Sequence, residues 1–175
     1  TLREALPFLR RYTGKTIVVK FGGPAMVDPA LTERFAADIA LLRQVGMRPI
    51  VVHGGGPQIA AMLERLAVPT KAVDGLRITD AATMEIVEMV LSGKINKDVV
   101  TALNKAGGTA VGLSGKDGRL LLAEKVQRDD GVDLGFVGQP KHVNTAVIEA
   151  IRDAGLIPVI APVGVDEAGQ GYNIN

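Results

Sequence analysis

The residues best suited to chemistry follow two short apolar runs that each end in glycine. Lys20 and the pair Gly22-Gly23 follow "TIVV", and glycines 54–56 follow "PIVVH". Glycine lacks a β-carbon, so its backbone N–H groups can approach an anion closely. A neighbouring lysine can neutralise the charge of a phosphoryl group in transfer. Either junction alone fits a tight turn as well as it fits an anion site. The two junctions together predict an anion site.

Three further features limit the kinds of ligand and reaction that these residues could serve. Neither glycine loop has the GxxxxGK[ST] spacing of a P-loop or the GxGxxG spacing of a dinucleotide site. The absence of the second pattern disfavours a dinucleotide-dependent oxidoreductase. Pro57 suits the first turn of a helix, whose positive dipole end would attract a negative group. Arg77, in "GLRIT", is either a solvated hairpin charge or a bidentate clamp for a carboxylate. No chemical role is predicted for His53 or His142.

Composition argues against several classes of function. The chain has 175 residues, a net charge of +1, two His and no Cys. A near-neutral chain is a poor match for nucleic acid or an acidic membrane surface, and this Cys and His content argues against a metal site. No apolar run approaches the ~18 residues of a membrane span, and the first residues lack a secretory pattern. We therefore expect a cytoplasmic globular protein.

The elements that must position these residues follow from hydrophobic periodicity. β-Branched runs predict buried strands at residues 16–20, 49–53, 109–114 and 156–162. Amphipathic stretches predict helices at residues 2–12, 28–46, from 57 onward, 80–106 and 144–154. This alternation predicts a three-layer α/β/α sandwich with a mostly parallel central sheet. Ligands bind at the carboxyl ends of such strands, so both glycine loops should open on one edge.

Two β-hairpins and a set of core positions complete the predicted fold. Asp74-Gly75 and Asp117-Gly118 are two-residue turn signals, which predict hairpins over 71–79 and 113–126. Residues 127–143 are predicted to form a loop or a hairpin. Helical spacing places these side chains in the core: Leu31, Phe35, Ile39, Leu42, Val45, Ile59, Met62, Leu63, Leu66, Ile86, Met89, Val90, Val99, Val100 and Leu103. The first helix has its own apolar side, formed by Leu2, Leu6, Phe8, Leu9 and Tyr12.

Six motifs together resemble the acetylglutamate kinases of the amino acid kinase superfamily. They are "VVKFGG", "VVHGGGPQI", "DGLRIT", "GKINKDVV", "VGLSGKDG" and "GYNIN", in this order. The resemblance implies the amino acid kinase-like fold and ATP-dependent phosphorylation of the side-chain carboxylate of N-acetyl-L-glutamate, a step in arginine biosynthesis. It also implies ATP with Mg²⁺ as the phosphoryl donor.

The same resemblance implies a role for each matching residue. Lys20 would stabilise the transition state, and the backbone of Gly22, Gly23, Gly55 and Gly56 would receive phosphoryl oxygens and substrate. The remaining matches would bind substrate: Arg77 through the α-carboxylate, Asn173, and Asn175 on the same face of an extended segment. A carboxylate is already ionised at neutral pH, so the reaction needs no general base.

Two departures from the family pattern stand out. Pro24 follows the glycine pair where family members have a small or polar residue, and proline removes one N–H donor. The family also continues beyond the end of this sequence with the nucleotide pocket. We therefore expect residues 1–13 to form an N-terminal amphipathic helix and residues 14–175 the acetylglutamate-binding domain, with a C-terminal ATP-binding domain absent from this chain.

The family resemblance extends to assembly and regulation. Residues 2–12 resemble the added helix of hexameric, arginine-inhibited members, which predicts a hexamer built as a trimer of dimers with arginine as feedback inhibitor. "SGKDG" resembles members controlled by the nitrogen-signalling protein PII. Two alternatives stay open: a kinase for an aminoadipate or glutamate group on a carrier protein, and a non-catalytic regulatory module.

Overall fold

Six α-helices and ten strands build the fold in the part of the chain that the structure describes. The computed structural model describes residues 2–175, apart from the side chains of Leu2 and Pro24. The predicted apolar contribution of Leu2 therefore lies outside the described side chains. The helices are α1 (Leu2–Tyr12), α2 (Pro29–Gln44), α3 (Gly56–Arg65), α4 (Ala81–Glu88), α5 (Asn96–Lys105) and α6 (Thr145–Asp153), with a π-helical segment (Met89–Ile95) between α4 and α5.

The strands form three groups. They are β1 (Thr16–Phe21), β2 (Arg48–His53), β3 (Ala72–Val73), β4 (Leu76–Arg77), β5 (Ala110–Ser114), β6 (Leu121–Lys125), β7 (Val137–Val143), β8 (Ile157–Ala161), β9 (Val163–Val165) and β10 (Gly171–Ile174). The main sheet is parallel in the order β1-β2-β8-β5, the strands β10-β7-β6-β9 close into a ring, and β3 pairs with β4.

The main sheet has helices on both faces, which confirms the predicted α/β/α layers. Val51, Val159 and Ala161 face a large core that they share with α2, α3, α4, α5 and the π-helical segment. Ile50 and Ile160, one position away on the same strands, face the opposite side with Ile148 of α6. This alternation follows from the two-residue period of a strand.

Two helices, α2 and α6, begin at the residues that the sequence indicates. The Asp28 carboxylate accepts hydrogen bonds from the N–H groups of Ala30 and Leu31 at the start of α2. Asn144 caps α6 in the same way, through the N–H of Ala146. These caps satisfy N–H groups that have no partner within the helix. Among the described residues, no helix is long and apolar enough to cross a membrane.

The prediction of a hairpin over 113–126 is wrong. β5 and β6 lie on either side of Asp117-Gly118 but do not pair, because β5 belongs to the main sheet and β6 pairs with β7 in the ring. The Asp117 carboxylate accepts hydrogen bonds from both the backbone N–H and the hydroxyl of Ser114, at 2.6 and 2.9 Å. It thereby fixes a turn that carries the chain from one sheet to the next. Residues 127–143, predicted as a loop or a hairpin, form the connecting loop and the second strand of a β6–β7 hairpin.

Some burial predictions are also wrong. β1 is the edge strand of the main sheet, so one of its faces is open and Val18 is 65% exposed. Leu31 and Leu66 lie at the ends of their helices and are exposed. Met89 follows the fully buried Val87 by two residues, so it lies on the opposite side of the helix and is exposed. Leu91 and Ile95 follow Val87 by four and eight residues, on the buried side, and enter the core although neither is among the predicted core residues.

Candidate functional site

One cavity contains every residue that the sequence analysis places in the site. It has a volume of about 720 Å³ and lies beyond the carboxyl ends of β1 and β2, a size typical of small-molecule sites. Its predicted members are Lys20, Gly22, Gly23, Gly55, Gly56, Arg77, Asn173 and Asn175. The fold therefore brings together residues separated by most of the chain.

Lys20 reaches the cavity because of the register of β1. Along this strand Val18 and Lys20 lie on the open side, while Val19 and Phe21 face the core. The Phe21 ring anchors the strand end by stacking on Phe35 of α2, with ring centroids 4.0 Å apart. Among the described residues, no carboxylate forms an ion pair with Lys20. Its ammonium group is therefore an uncompensated positive charge at the cavity.

The first glycine loop packs its backbone against the second. The Gly54 N–H donates a hydrogen bond to the Phe21 carbonyl oxygen at 2.8 Å. A β-carbon at Gly22 would lie 3.9 Å from the Gly54 nitrogen, which is ordinary van der Waals contact. Gly23 has a φ of +68° and so adopts a backbone conformation that favours glycine. The loop continues as a 3-10 turn (Gly23–Met26).

The second glycine loop leads directly into α3. Gly55 is the N-cap residue and makes no side-chain cap, so the N–H groups of Gly56 and Gln58 remain available at the start of α3, whereas Pro57 has no N–H. A β-carbon at Gly56 would meet nothing within 4 Å. Neither packing nor backbone conformation therefore requires glycine at position 56, whereas a ligand that approaches the loop backbone would require it.

His53 borders the cavity, but both of its ring nitrogens face protein atoms. Its side chain is buried at 1% exposure, its Nδ1 lies 2.8 Å from the Gly54 carbonyl oxygen, and its Nε2 lies 3.2 Å from Asn96 Nδ2. Burial is the main cause that lowers the pKa of His53 below its usual value, with a smaller contribution from the Lys97 charge. His53 is therefore neutral at physiological pH and supports the glycine loop from below.

The hairpin that carries Arg77 has the predicted two-residue turn. Asp74 and Gly75 have φ values of +50° and +79°, as a type I′ turn requires. Arg77 donates to the Thr70 hydroxyl at 3.1 Å and to the Gly56 carbonyl oxygen at 3.3 Å. Burial lowers the pKa of the guanidinium, which stays charged at neutral pH. No carboxylate among the described residues pairs with it.

The two asparagines approach the cavity from the end of β10. Asn173 lies in register with Val137 of β7 and Val163 of β9, and its backbone N–H donates to the Phe136 carbonyl oxygen at 2.9 Å. The amide side chains of Asn173 and Asn175 have no hydrogen-bond partner among the described residues. Both amides are therefore available to a ligand.

The cavity combines a cationic end with an apolar floor. The described residues that line it include Lys20 and Arg77 but no Asp or Glu. Val18, Val52 and Ile160 form part of the floor on the open face of the main sheet. Uncompensated cations together with free backbone N–H groups make this end suited to a ligand with several negative charges.

Sequence reasoning missed Asn96. This side chain is fully buried and contacts β2, β5 and β8. The only signal in the sequence is a polar residue between apolar helical positions in "GKINKDVV". That signal does not distinguish a buried amide from an exposed one.

The chain resembles known proteins both in sequence and in fold. The chain is 57% identical to acetylglutamate kinase of Gluconacetobacter diazotrophicus, over 99% of this chain and 58% of that protein. It is 59% identical to acetylglutamate kinase of Granulibacter bethesdensis, over 99% of this chain and 61% of that protein. The structure of N-acetylglutamate synthase from Neisseria gonorrhoeae complexed with coenzyme A and N-acetyl-glutamate is similar with a TM-score of 0.84 at 26% identity, over 99% of this chain and 39% of that chain.

These matches define the family of the chain. The chain spans 58% and 61% of the length of the two kinases. A family model described as the amino acid kinase family matches residues 15–175, which include both glycine loops, the Arg77 hairpin and the two asparagines. The chain therefore belongs to the amino acid kinase family.

Proposed function

We propose that this chain is the acetylglutamate-binding part of an acetylglutamate kinase. The observation that carries the proposal is the single cavity in which Lys20, both glycine loops, Arg77 and the free asparagine amides meet without a carboxylate. The names of the relatives at 57% and 59% identity support the choice of N-acetyl-L-glutamate within the family. The reaction is ATP-dependent phosphorylation of its side-chain carboxylate, a step in arginine biosynthesis.

The proposed reaction is a direct phosphoryl transfer. One oxygen of the side-chain carboxylate forms a bond to the γ-phosphorus of ATP, and the bond from that phosphorus to the β,γ-bridging oxygen breaks. The bridging oxygen keeps the electron pair, which leaves ADP and an acyl phosphate. The carboxylate is already ionised at neutral pH, so no proton has to be removed. The site must cancel the repulsion between two anions and align them.

Each predicted residue has a role in this proposal. Lys20 and the N–H groups of Gly22, Gly23 and Gly55 stabilise the phosphoryl oxygens in the transition state. The open space at Gly56 lets substrate approach the backbone. Arg77 binds the α-carboxylate of acetylglutamate, and its hydrogen bond to the Gly56 carbonyl oxygen holds that clamp beside the loop. Asn173 and Asn175 donate and accept hydrogen bonds to the rest of the substrate.

The nucleotide is proposed to bind largely outside these residues. No Asp or Glu is among the described residues that line the cavity, and in phosphate sites Mg²⁺ takes one or two protein carboxylates beside the phosphate oxygens, so the cavity lining does not fit Mg²⁺. We assign Mg²⁺ to the ATP phosphates and to the part of the protein that the longer relatives have in addition. In this proposal residues 14–175 form the acetylglutamate domain, residues 1–13 form a separate helix, and the 175-residue chain alone does not turn over. We also propose a cytoplasmic location, where ATP is available.

Assembly and regulation form a further part of the proposal. α1 exposes apolar side chains, with Phe8 at 62% and Leu6 at 43% exposure. We propose that α1 joins copies of the protein into a hexamer, a trimer of dimers, and that arginine inhibits through this helix. A PII-type regulator is a further proposed partner. Deletion of residues 1–12 from the full-length enzyme should reduce the assembly size and the response to arginine. If both stay unchanged, this role of α1 is wrong.

Lys20 favours a kinase over a regulatory module. A domain that only binds ligand does not need an unpaired lysine beside two glycine loops, whereas phosphoryl transfer does. A carrier-protein substrate would need a basic rim, and no such rim is evident in the sequence around "DGLRIT".

Binding of the substrate tests the proposal at the level of the chain itself. Titration of the 175-residue chain with N-acetyl-L-glutamate should shift the amide resonances of Gly55, Gly56 and Arg77 in NMR spectra. L-Glutamate, which lacks the acetyl group, should shift them only at higher concentration. Equal shifts with both ligands, or shifts remote from the cavity, would contradict the proposed substrate.

A further inference from the structure

We propose that Asn96 is a positioning residue that, through His53, orients the peptide between Gly54 and Gly55 so that the Gly55 N–H faces the cavity. This inference rests on the proposed function for the role of that N–H in phosphoryl transfer. Asn96 is the first residue of α5, directly after the π-helical segment, and its side chain is fully buried beneath the glycine loop.

The orientation of the Asn96 amide follows from its neighbours. Nδ2 lies 3.0 Å from the Val159 carbonyl oxygen and 3.3 Å from the Leu113 carbonyl oxygen, and both of these can only accept hydrogen bonds. Oδ1 accepts from the Lys97 ammonium group at 3.0 Å. A flipped amide would place an oxygen against two carbonyl oxygens and a nitrogen against an ammonium group. Nδ2 is therefore the atom that faces His53.

The tautomer of His53 follows in turn. Asn96 Nδ2 has two hydrogens for three acceptors, the carbonyl oxygens of Val159 and Leu113 and the His53 Nε2 at 3.2 Å, so one hydrogen is shared and Nε2 is on the accepting side. His53 Nδ1 lies 2.8 Å from the Gly54 carbonyl oxygen, which can only accept, so Nδ1 must carry the proton. Both contacts require the same neutral tautomer, with hydrogen on Nδ1. Burial lowers the pKa of His53, which keeps the ring in this neutral form.

The tautomer determines the direction of one backbone donor. In a planar trans peptide the C=O and the following N–H point in opposite directions. The Gly54 carbonyl is turned towards the imidazole below the loop, so the Gly55 N–H points away from it, on the side of the cavity that Gly55 lines. Gly55 is buried, yet its N–H has no acceptor among the described residues. A buried donor without a partner is costly, which points to an anionic oxygen of a ligand as its acceptor.

The π-helical segment fixes the same peptide from a second side. A β-carbon on Gly55 would lie 2.5 Å from Ile95 Cδ1 and 2.6 Å from Leu91 Cδ2. These two methyl groups therefore pack directly on the Gly55 backbone, and Asn96 follows Ile95 in the chain. The packing of Leu91 and Ile95 therefore acts on the Gly54–Gly55 peptide. The hydrogen-bonded pair of Asn96 and His53 acts on the same peptide.

NMR of the 175-residue chain tests the tautomer without any assay of activity. The chain has only two His, so a His142→Gln variant assigns the imidazole signals. We expect proton attachment at Nδ1 of His53 in the unsubstituted chain. Asn96→Ala removes the contact at Nε2 and leaves the Nδ1 contact to the Gly54 carbonyl oxygen, so it should loosen the ring and shift the Gly55 amide resonance while the proton stays on Nδ1. Asn104→Ala is the matched control, because Asn104 also lies in α5 and accepts from the Ala110 N–H at 2.7 Å, remote from the loop. A proton on Nε2 of His53 in the unsubstituted chain would overturn the proposal.

Kinetics of the full-length enzyme test the functional consequence. Asn96→Ala should lower kcat more than tenfold with a much smaller change in the KM for acetylglutamate, and Asn104→Ala should leave both unchanged. His53→Phe keeps a ring but lacks the donor, and its loss should not add to that of Asn96→Ala, since both act through one peptide. Multiplicative losses, or an unchanged kcat in Asn96→Ala, would overturn the proposal. If the unsubstituted enzyme phosphorylates another acid, the proposed function is wrong, and the same comparison with that acid still decides the role of Asn96.

Discussion

Arg77 donates a hydrogen bond to the carbonyl oxygen of Gly56 at 3.3 Å. This contact joins the β3–β4 hairpin to the first turn of α3, so the proposed carboxylate clamp and the proposed phosphoryl-binding loop are linked directly. The clamp is therefore placed relative to the loop rather than only to the hairpin. Substitutions in either element should affect how substrate is positioned against the other.

Arg77 should control the affinity for substrate. Arg77→Lys keeps the charge but cannot form two parallel hydrogen bonds to a carboxylate. We expect the KM for acetylglutamate in the full-length enzyme to rise about tenfold or more, with a smaller change in kcat. Arg65→Lys, at the exposed end of α3, is the matched control and should leave KM unchanged. An unchanged KM in Arg77→Lys would show that the bidentate clamp is wrong.

Lys20 should control the chemical step. Lys20→Ala removes the uncompensated charge beside the glycine loops, so we expect kcat to fall by about 10²-fold or more. The KM for acetylglutamate should change little, because the lysine acts mainly on the transition state. Lys15→Ala, just before β1, is the control. Steady-state rates that are equal in Lys20→Ala and the unsubstituted enzyme would remove this residue from the mechanism.

Gly56 should separate stability from function. A methyl group at this position meets no protein atom within 4 Å, and alanine is a better helix former than glycine by up to about 1 kcal/mol. We therefore expect Gly56→Ala to keep or raise the free energy of unfolding while it lowers substrate affinity in a calorimetric titration. Gly131→Ala, in a surface loop with a φ of +74°, should show the reverse: lower stability and unchanged affinity. Unchanged affinity in Gly56→Ala would mean that ligand does not approach this backbone.

His53 should make the stability of the chain depend on pH. Burial lowers its pKa from the ordinary 6.5. Below that pH the unfolded chain binds a proton that the folded chain does not. As the pH decreases, the free energy of unfolding should therefore fall by up to about 1.4 kcal/mol per pH unit. The fall should end once the pH reaches the lowered pKa.

Urea denaturation of variants across this pH range isolates the contribution of His53. His53→Gln should reduce the slope of stability against pH below 6.5, and His142→Gln, at an exposed position, should retain it. If the slope of His53→Gln matches that of the unsubstituted chain, His53 does not titrate as a buried neutral group.

The sequence predicts the residues that line the cavity better than the buried residues beneath the glycine loop. Lys20, the glycine pairs and the Arg77 turn have strong local signals, because each depends on backbone conformation or on a strand end. The support beneath them depends on contacts between residues far apart. Asn96 bonds to residues 43 and 63 positions away, and no local pattern encodes that placement.

The errors in the fold have similar causes. The turn signal at Asp117-Gly118 is real, but it does not specify which strands pair on either side. The exposure of Met89 and the burial of Leu91 depend on which side of the helix faces the core, and Val87, which marks that side, is not among the predicted core residues. The open face of β1 depends on its place at the edge of the sheet, which is set by strand order rather than by the strand itself.

Trapping of the acyl phosphate with hydroxylamine measures whether the enzyme phosphorylates acetylglutamate and whether Lys20 is required. The full-length enzyme would be supplied with ATP, Mg²⁺ and, in turn, N-acetyl-L-glutamate, L-glutamate, L-aspartate and L-aminoadipate, and the hydroxamate would be quantified. We expect hydroxamate with acetylglutamate at a kcat/KM far above that with the other three acids, and little product from Lys20→Ala. Equal or greater product from an unacetylated acid, or full activity of Lys20→Ala, would contradict this expectation.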